Sequence, residues 1–379
     1  MKILHLITRM DGGGSAVNTL LTSQEQAKAG HDVLLVFGSS QDSKMSPIEQ
    51  SKVDEGLQVF EDLGGKVQVL TSLQREVGLH DRRAVKDIRA LGLGDFDIIH
   101  THTSKAGALG RYAAGGQGVK VVHTPHGHIF HGYFGELKTK IFLKVEQYLA
   151  KKTDVLIALT QAERDDHLAL NIGTKEQWQI VPSGVDVEAI AEWMWEHPVS
   201  ETHKTWDTVS VGRLVPVKGM ERLIAAWEVV VRAKPDAKLA LVGDGEDKRS
   251  LENLASRLNI IANVEFVGWA DPLPELAKAK SFSLLSHNEG MGRAVVEAMA
   301  AGLPCVVSDV CGLKELVDDS VGKVVDADDK EAVAQALMSE WPRDISRATR
   351  ARAEHYSIDT MMQGLDAIYS QLLTPENNT

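Results

Sequence analysis

Short apolar runs alternate with helically spaced stretches along the whole chain. In the first half the runs are Lys2–Ile7, Asp32–Phe37, Lys66–Leu70, Ile98–Thr101, Val119–His123 and Val155–Leu159. In the second half they are Thr208–Val211, Lys238–Val242, Val264–Val267, Ser281–Leu285 and Pro304–Ser308. Between them lie segments of helical spacing such as Ser15–Lys28, Met220–Arg232 and Ser250–Leu258. This alternation predicts a parallel α/β architecture, because parallel strands need a crossover and a helix supplies it. No short-period repeat is present, yet the halves resemble each other as two Rossmann-like domains would. Pro182 and Gly184, in Ile180-Val-Pro-Ser-Gly-Val-Asp186, mark a turn between rigid bodies. The first domain is drawn as 1–183 and the second as 184–355. Residues 190–207, hydrophilic with three Trp, read as an excursion before the second sheet.

Composition narrows the class. A chain of 379 residues suits two domains, and 43% hydrophobic with 25% charged residues suits a soluble globular protein. No run of about 18 apolar residues suggests a membrane span. The opening M-K-I-L-H-L-I-T meets Arg9 and Asp11 too soon for a signal peptide and reads as a buried strand. Cys305 and Cys311 are expected as free thiols in a reducing cytoplasm. Residues 1–183 carry 21 basic and 21 acidic residues, so the whole formal charge of −12 falls on the remainder. That asymmetry argues against a nucleic-acid partner and lets the neutral half approach an anionic membrane.

The densest chemistry lies in Asn288–Asp309, N-E-G-M-G-R-A-V-V-E-A-M-A-A-G-L-P-C-V-V-S-D. A Glu289-Gly290-Met291-Gly292 loop runs into an Ala-rich helix, and backbone N–H groups there suit an anion such as a diphosphate. Glu297 lies about one turn into the helix and leans back toward the loop. Two carboxylates facing an anion make sense if hydroxyl groups lie between, as in a phosphate carrying sugars. In isolation the pair reads as two solvated carboxylates, and the surrounding residues reverse that reading. The block as a whole closely resembles the donor-site motif of the fourth glycosyltransferase family. That resemblance implies an α/β GT-B fold, two Rossmann-like domains with parallel sheets facing across a cleft, and retaining transfer.

Further segments carry the same resemblance. Val211-Gly-Arg-Leu-Val-Pro-Val-Lys-Gly219 matches the family's diphosphate-binding segment, which gives Arg213 and Lys218 the role of stabilising the departing diphosphate. Gly243 in Val242-Gly-Asp-Gly-Glu246 and Gly268-Trp269 match segments near the nucleotide. Trp269 reads either as a base-stacking ring or as core cover. Gly13 and Gly14, in Gly12-Gly-Gly-Ser-Ala16, allow close backbone approach or simply a tight turn. The family places this loop over the donor phosphates and sugar, or near the acceptor. It is not G-x-G-x-x-G, which weighs against a nicotinamide enzyme. In His123-Thr-Pro-His-Gly-His128, the family's active-site histidine aligns with His126. The histidine-rich stretch through His131 has no acid nearby for a metal cluster. His100-Thr-His102 reads as structural support or acceptor-side lining. Asp95-Phe-Asp97 and Asp326-Ala-Asp328 have metal-binding DxD spacing but read as structural. Where the family more often has two glycines, this chain has Cys311-Gly312, which opens the donor sugar to question.

The resemblance covers nearly the whole chain, most specifically residues 208–320, and extends to a terminal helix, 356–373, packing back on the first domain. It implies a metal-independent enzyme, with no cofactor beyond its nucleotide-sugar substrate. The donor is a nucleoside-diphosphate sugar, with UDP preferred, and the acceptor a hydroxyl on a lipid-linked or other saccharide. Glu289 would meet the sugar hydroxyls and Glu297 the ribose. The competing readings are an epimerase or phosphorylase on the same fold, and a non-catalytic sugar-nucleotide binder. Lys138-Thr-Lys-Ile-Phe-Leu-Lys144 with Lys151-Lys152 reads as a basic amphipathic helix, its apolar side Ile141, Phe142, Val145 and Leu149. Such a stripe packs on its own sheet or docks on anionic lipid, the latter making the protein peripheral on the inner membrane face.

Overall fold

The structure, a computed structural model, describes residues 1–39, 45–127 and 136–374. The tail after Thr374, expected to be loose, lies outside the described residues, as do His128 and His131. Two compact units form: Met1–Gly184 with the segment from Met361 onward, and Val185–Thr360.

The first unit is built on seven parallel strands, β1 (Lys2–Ile7), β2 (Asp32–Gly38), β3 (Lys66–Leu70), β4 (Ile98–His102), β5 (Lys120–Thr124), β6 (Val155–Ala158) and β7 (Trp178–Ile180). Their order is β3-β2-β1-β4-β5-β6-β7. The central strands are apolar on both faces because helices cover both. On one face Ile3, Ile98 and Val122 pack against Met361, Leu365, Ile368 and Tyr369 of the terminal helix Ile358–Leu373. On the other, Leu4, Leu6, Ile99 and Val121 meet Ile88, Ala106 and Ala113. His5 pairs in register with His100, and Thr101 with His123. Side chains alternate along a strand, so His5, His100 and His102 share the terminal-helix face.

The second unit holds β8 (Thr208–Val211), β9 (Leu239–Val242), β10 (Val264–Gly268), β11 (Phe282–Leu284), β12 (Cys305–Ser308) and β13 (Gly322–Val325), ordered β10-β9-β8-β11-β12-β13 and all parallel. Trp227 from the helix Met220–Ala233 and Val295, Val296 and Met299 from the helix Arg293–Ala300 are buried in its core. In each sheet the strand order reverses once, at β1/β4 and at β8/β11. Open α/β sheets bind ligands at the strand C-termini beside such a reversal.

Three features depart from the sequence reading. β7 and β13 were not expected as strands. Both are short edge strands with exposed positions, so neither shows a continuous apolar run. The stretch 190–207 is not a mere excursion. Most of its first half belongs to the helix Val187–Glu196, capped where Asp186 accepts from the Ala189 N–H at 3.0 Å, and burying Ile190 and Met194.

Candidate active site

In the second unit, the loops after β8 and β11 are laced together. Gly219 adopts φ +61, and a Cβ there would lie 2.1 Å from the Leu285 carbonyl oxygen, so only glycine admits this approach. The His287 N–H donates to the Val217 oxygen at 2.9 Å. This lacing puts Lys218 Nζ 2.5 Å from Glu289 Oε1, which also accepts from Ser286 Oγ at 2.8 Å. Two residues 71 positions apart thus form one ion pair, with side chains only 25% and 11% exposed. Arg213, on the same loop as Lys218, is exposed and makes no ion pair with another described residue.

The Glu289–Gly292 loop is backed by Gly312, at φ +80, where a Cβ would meet the Glu289 oxygen at 2.5 Å and the Gly290 oxygen at 2.6 Å. Of the Cys311-Gly312 pair, Gly312 is therefore the position that has to be glycine, and Cys311 stands where a side chain is admitted. The Gly292 N–H donates to the Gly312 oxygen at 3.1 Å. That donor is engaged within the protein, so an anion would have to displace this bond to reach it. Met291 is buried beneath the loop. Glu297 is half-buried on the helix, one turn from Arg293. Burial lowers the Arg293 pKa, and the Glu297 carboxylate partly offsets this. Arg293 stands inside the motif, yet its residue type gave the sequence reading no role to assign.

Two of the expected donor-binding glycines serve the backbone. A Cβ on Gly243, at φ +137, would lie 2.0 Å from the Gly212 oxygen, and the Gly243 N–H donates to the Gly268 oxygen at 2.8 Å. They tie the ends of β8, β9 and β10 together. Trp269 follows, half-buried.

In the first unit, Gly13 is the N-cap of the helix Gly14–Lys28, and its N–H donates to Asp11 Oδ1 at 2.9 Å. Arg9 Nε holds the other Asp11 oxygen at 2.6 Å. At the ends of β4 and β5, Thr103 and His126 take φ +61 and +58. Among the described residues the other non-glycine positive-φ positions are asparagines, which tolerate that region well. Backbone strain of this kind concentrates at functional sites. The loop bearing His126 is held by Glu163, fully buried, which accepts from the N–H groups of Gly127 at 2.6 Å and Leu159 at 2.7 Å. Sequence reasoning missed Glu163. Its signal was Thr160-Gln-Ala-Glu163, the spacing of a capping box.

His126 Nε2 lies 2.9 Å from His102 Nδ1, and His102 Nε2 lies 2.9 Å from His5 Nδ1. His5, His100 and His102 cluster closely enough to hold a metal ion. Their six ring nitrogens are, however, all engaged: His5 also meets Gln26 at 2.7 Å, and His100 meets Tyr369 at 2.6 Å and Thr124 at 2.8 Å. A metal would have to displace at least two of these bonds. In each DxD pair at least one aspartate is engaged. Asp97 accepts from the Lys2 N–H at 2.7 Å, and Asp328 pairs with Arg222 at 2.7 Å. Cys305 and Cys311 are free thiols, and burial raises the Cys305 pKa.

Residues 192–349 match the family model for glycosyl transferases group 1, and residues 12–189 that for glycosyltransferase family 4. The chain belongs to the group 1 glycosyltransferases. Arg213, Lys218, Glu289 and Glu297 lie in the first match, and Gly13, Gly14 and His126 in the second. An Escherichia coli protein named UDP-Gal:alpha-D-GlcNAc-diphosphoundecaprenol alpha-1,3-galactosyltransferase is 32% identical over 254 residues, 64% of this chain and 66% of that one. A D-inositol 3-phosphate glycosyltransferase of Salinispora tropica is 26% identical, covering 97% of this chain and 83% of its own length. Among solved structures, Anabaena HepE in complex with UDP superposes with a TM-score of 0.77 at 21% identity, over 98% of this chain and all of that one. The fold of this glycosyltransferase is GT-B.

Proposed function

We propose that the enzyme transfers a sugar, with retention of anomeric configuration, from a UDP-sugar to a hydroxyl of a lipid-linked saccharide in cell-envelope synthesis. The observation that carries this reading is the Lys218–Glu289 pair at the β8/β11 reversal, with Arg213 on the same loop and unpaired among the described residues. An arriving diphosphate exchanges with Glu289 as the partner of Lys218, one anion replacing another. Glu289 is then released to the sugar hydroxyls, and Glu297 takes the ribose. Lys218 and Arg213 stabilise the charge that grows on the leaving UDP, and removing one such donor costs on the order of 3 kcal/mol. The leaving phosphate oxygen accepts the acceptor hydroxyl's proton on the same face, so no carboxylate nucleophile is required. His126 meets the donor sugar or the acceptor hydroxyl. Two cations suffice for the diphosphate without a divalent ion. The E. coli relative is named for a UDP-sugar donor and a diphosphoundecaprenol acceptor, which supports the choice of both. Calorimetry with UDP and GDP in the presence of a chelator tests the donor side. An absolute need for Mg or Mn, or tighter GDP binding, would sink it. Transfer assayed with undecaprenyl-diphosphate-linked N-acetylglucosamine and a panel of UDP-sugars tests the acceptor.

The acceptor reading extends to the membrane surface. Among the described residues no helix is long and apolar enough to cross a membrane. On the helix Glu136–Ala150, Ile141, Val145 and Tyr148 are 55%, 39% and 52% exposed. With Tyr112 they line a groove of about 700 Å³, flanked by Lys140 and Lys144. Tyr148 takes the place expected for Leu149, which is buried, while Phe142 is half-buried and the Lys138 side chain lies outside the described residues. Lys152 Nζ lies 5.2 Å from the Tyr148 ring centre. Apolar residues rimmed by lysine, with tyrosine between, suit an anionic lipid interface. Sedimentation with phosphatidylglycerol vesicles at low and high salt is the check. No binding at low salt, or binding unchanged in K140Q/K144Q, removes the membrane step.

A further inference from the structure

Two donors converge on one carboxylate oxygen just beyond β11. Lys218 Nζ lies 2.5 Å from Glu289 Oε1, and Ser286 Oγ donates to the same atom at 2.8 Å. No hydrogen bond reaches Glu289 Oε2 from another described residue. Ser286 is fully buried, and its carbonyl oxygen accepts from Ser308 Oγ at 2.7 Å. Ser308, also buried, is the last residue of β12, the neighbour of β11 in the sheet. The sheet therefore fixes Ser286, whereas the Lys218 ammonium sits on a flexible stem.

A carboxylate paired with an ammonium only accepts, and its oxygens are chemically identical, so Ser286 is the donor whichever way the carboxylate is turned. Serine hydroxyls in loops ordinarily satisfy nearby backbone groups, as that of Ser308 does. That of Ser286 instead adds a further donor to an oxygen that already holds a cation. In the exchange proposed above, the diphosphate takes Lys218, and Glu289 loses its cation with its side chain only 11% exposed. A carboxylate so placed keeps its position only with a donor that does not leave with the lysine. We infer that Ser286 is that donor. It acts as a positioning residue that holds Glu289 Oε1 in the nucleotide complex and leaves Oε2 to accept from a donor-sugar hydroxyl. The inference rests on the exchange at Lys218 and on the sugar-facing role of Glu289.

The test has a structural and a kinetic arm, both on the full-length protein. In a crystal structure with UDP, Lys218 Nζ should turn to the diphosphate while Ser286 Oγ stays in hydrogen-bond range of Glu289. A Glu289 carboxylate that leaves Ser286 overturns the proposal and keeps the exchange. A Lys218–Glu289 pair that UDP does not break removes the exchange, and the proposal with it. In the kinetic arm, Ser286→Ala is assayed with the UDP-sugar of the panel that is transferred fastest. Its kcat should fall roughly tenfold, with the donor KM within about twofold and UDP affinity in calorimetry unchanged. Added to Glu289→Ala, the same substitution should cost less than about twofold, because Ser286 acts through that carboxylate. A merely structural role predicts an equal loss in both backgrounds, and that result overturns the proposal. Ser286→Thr keeps the hydroxyl and should keep most of kcat. If its extra methyl prevents folding at so buried a position, Ser286→Ala and the double-mutant cycle decide; where no sugar of the panel is transferred, the UDP complex decides. A fully active Glu289→Ala would remove the sugar-facing role of Glu289 itself.

Discussion

Mild acid should unfold the first unit before the second. His5 is fully buried, and burial lowers its pKa from 6.5 to about 4. Burial lowers His100, His102 and His123 in the same direction. A histidine whose folded pKa lies below its unfolded value stabilises the fold fully above pH 6.5. That contribution is lost as the pH falls toward 4, because the unfolded chain takes up a proton that the native state refuses. At 1.36 kcal/mol per unit, His5 alone supplies roughly 3 kcal/mol in the limit and loses about 2 kcal/mol between pH 7 and pH 5. The other three add in the same direction, though not independently, since the rings repel one another when charged. Carboxylates such as Asp32, Glu228 and Asp318, held low by hydrogen bonds to neighbours, act only below about pH 4.5, outside this window. Among the described residues the buried histidines, these four and His167, all lie in the first unit, whereas His197, His203, His287 and His355 of the second are exposed. Hydrogen exchange followed by mass spectrometry at pH 7 and pH 5, corrected for the intrinsic rate, separates the two sheets. Peptides from β1, β4 and β5 should lose protection, and those from β8, β9 and β11 should keep it. His5→Asn should reduce the pH dependence of the first unit by about 2 kcal/mol over the same interval. Equal losses in both sheets, or an unchanged pH dependence in His5→Asn, would refute the reasoning.

Three further outcomes follow from the site geometry. Glu289→Ala should leave UDP affinity unchanged or slightly tighter, since it frees Lys218, while transfer falls on the order of a hundredfold; Glu297→Ala should instead weaken UDP by roughly 1.5–3 kcal/mol in calorimetry, and the reverse pattern would mean that the two sides are misassigned. Gly312→Ala should cost about 1–3 kcal/mol through strain at φ +80 and its clash with the Glu289 and Gly290 carbonyls, read as a lowered melting temperature and lost transfer. Glu163→Ala strips the acceptor from the buried Leu159 N–H and the half-buried Gly127 N–H and should destabilise the first unit by roughly 2–4 kcal/mol, visible in urea unfolding; a neutral result would show that the His126 loop does not depend on it.

The central strands were legible in the sequence because helices bury both their faces, which leaves continuous apolar runs. β7 and β13 were not: both are edge strands and short, WQI and GKVV, with too few apolar positions to show a run, whereas the longer edge strands β3 and β10 were read. The site was legible in parts. Lys218 and Glu289 were each visible from their motifs, but their 2.5 Å pairing depends on β8 and β11 lying adjacent in the sheet, a relation with no local sequence signature. The histidine cluster is the sharper case. His5 announced itself only as one polar residue in an apolar strand, Lys2-Ile-Leu-His-Leu-Ile7. Its meaning appears once strand register sets it opposite His100 and two residues of alternation bring His102 to the same face.

Strand order also explains why the chemistry collects where it does. At β1/β4 and at β8/β11 the crossovers leave in opposite directions, so the strand ends are not roofed by a connecting helix. Loops there have freedom to take conformations that a covered loop would not. The sequence uses that freedom in two physical ways. In the second unit, glycine at 219 and 312 lets backbones approach closely enough to press Lys218 against Glu289. In the first, Thr103 and His126 carry positive φ without glycine; Thr103 is tied to Thr8 and Thr124, His126 to His102, and Glu163 accepts from the neighbouring Gly127 N–H. Replacing the strained residues by glycine would relieve the backbone but release the side chains, so in His126→Gly the relief of roughly 1 kcal/mol is outweighed by the roughly 1–3 kcal/mol cost of orphaning the buried His102 Nδ1, and stability should fall slightly while transfer is lost. A variant that is stabilised would show that the bond to His102 does not hold the loop, and one that stays active would show that transfer does not need the imidazole at this position.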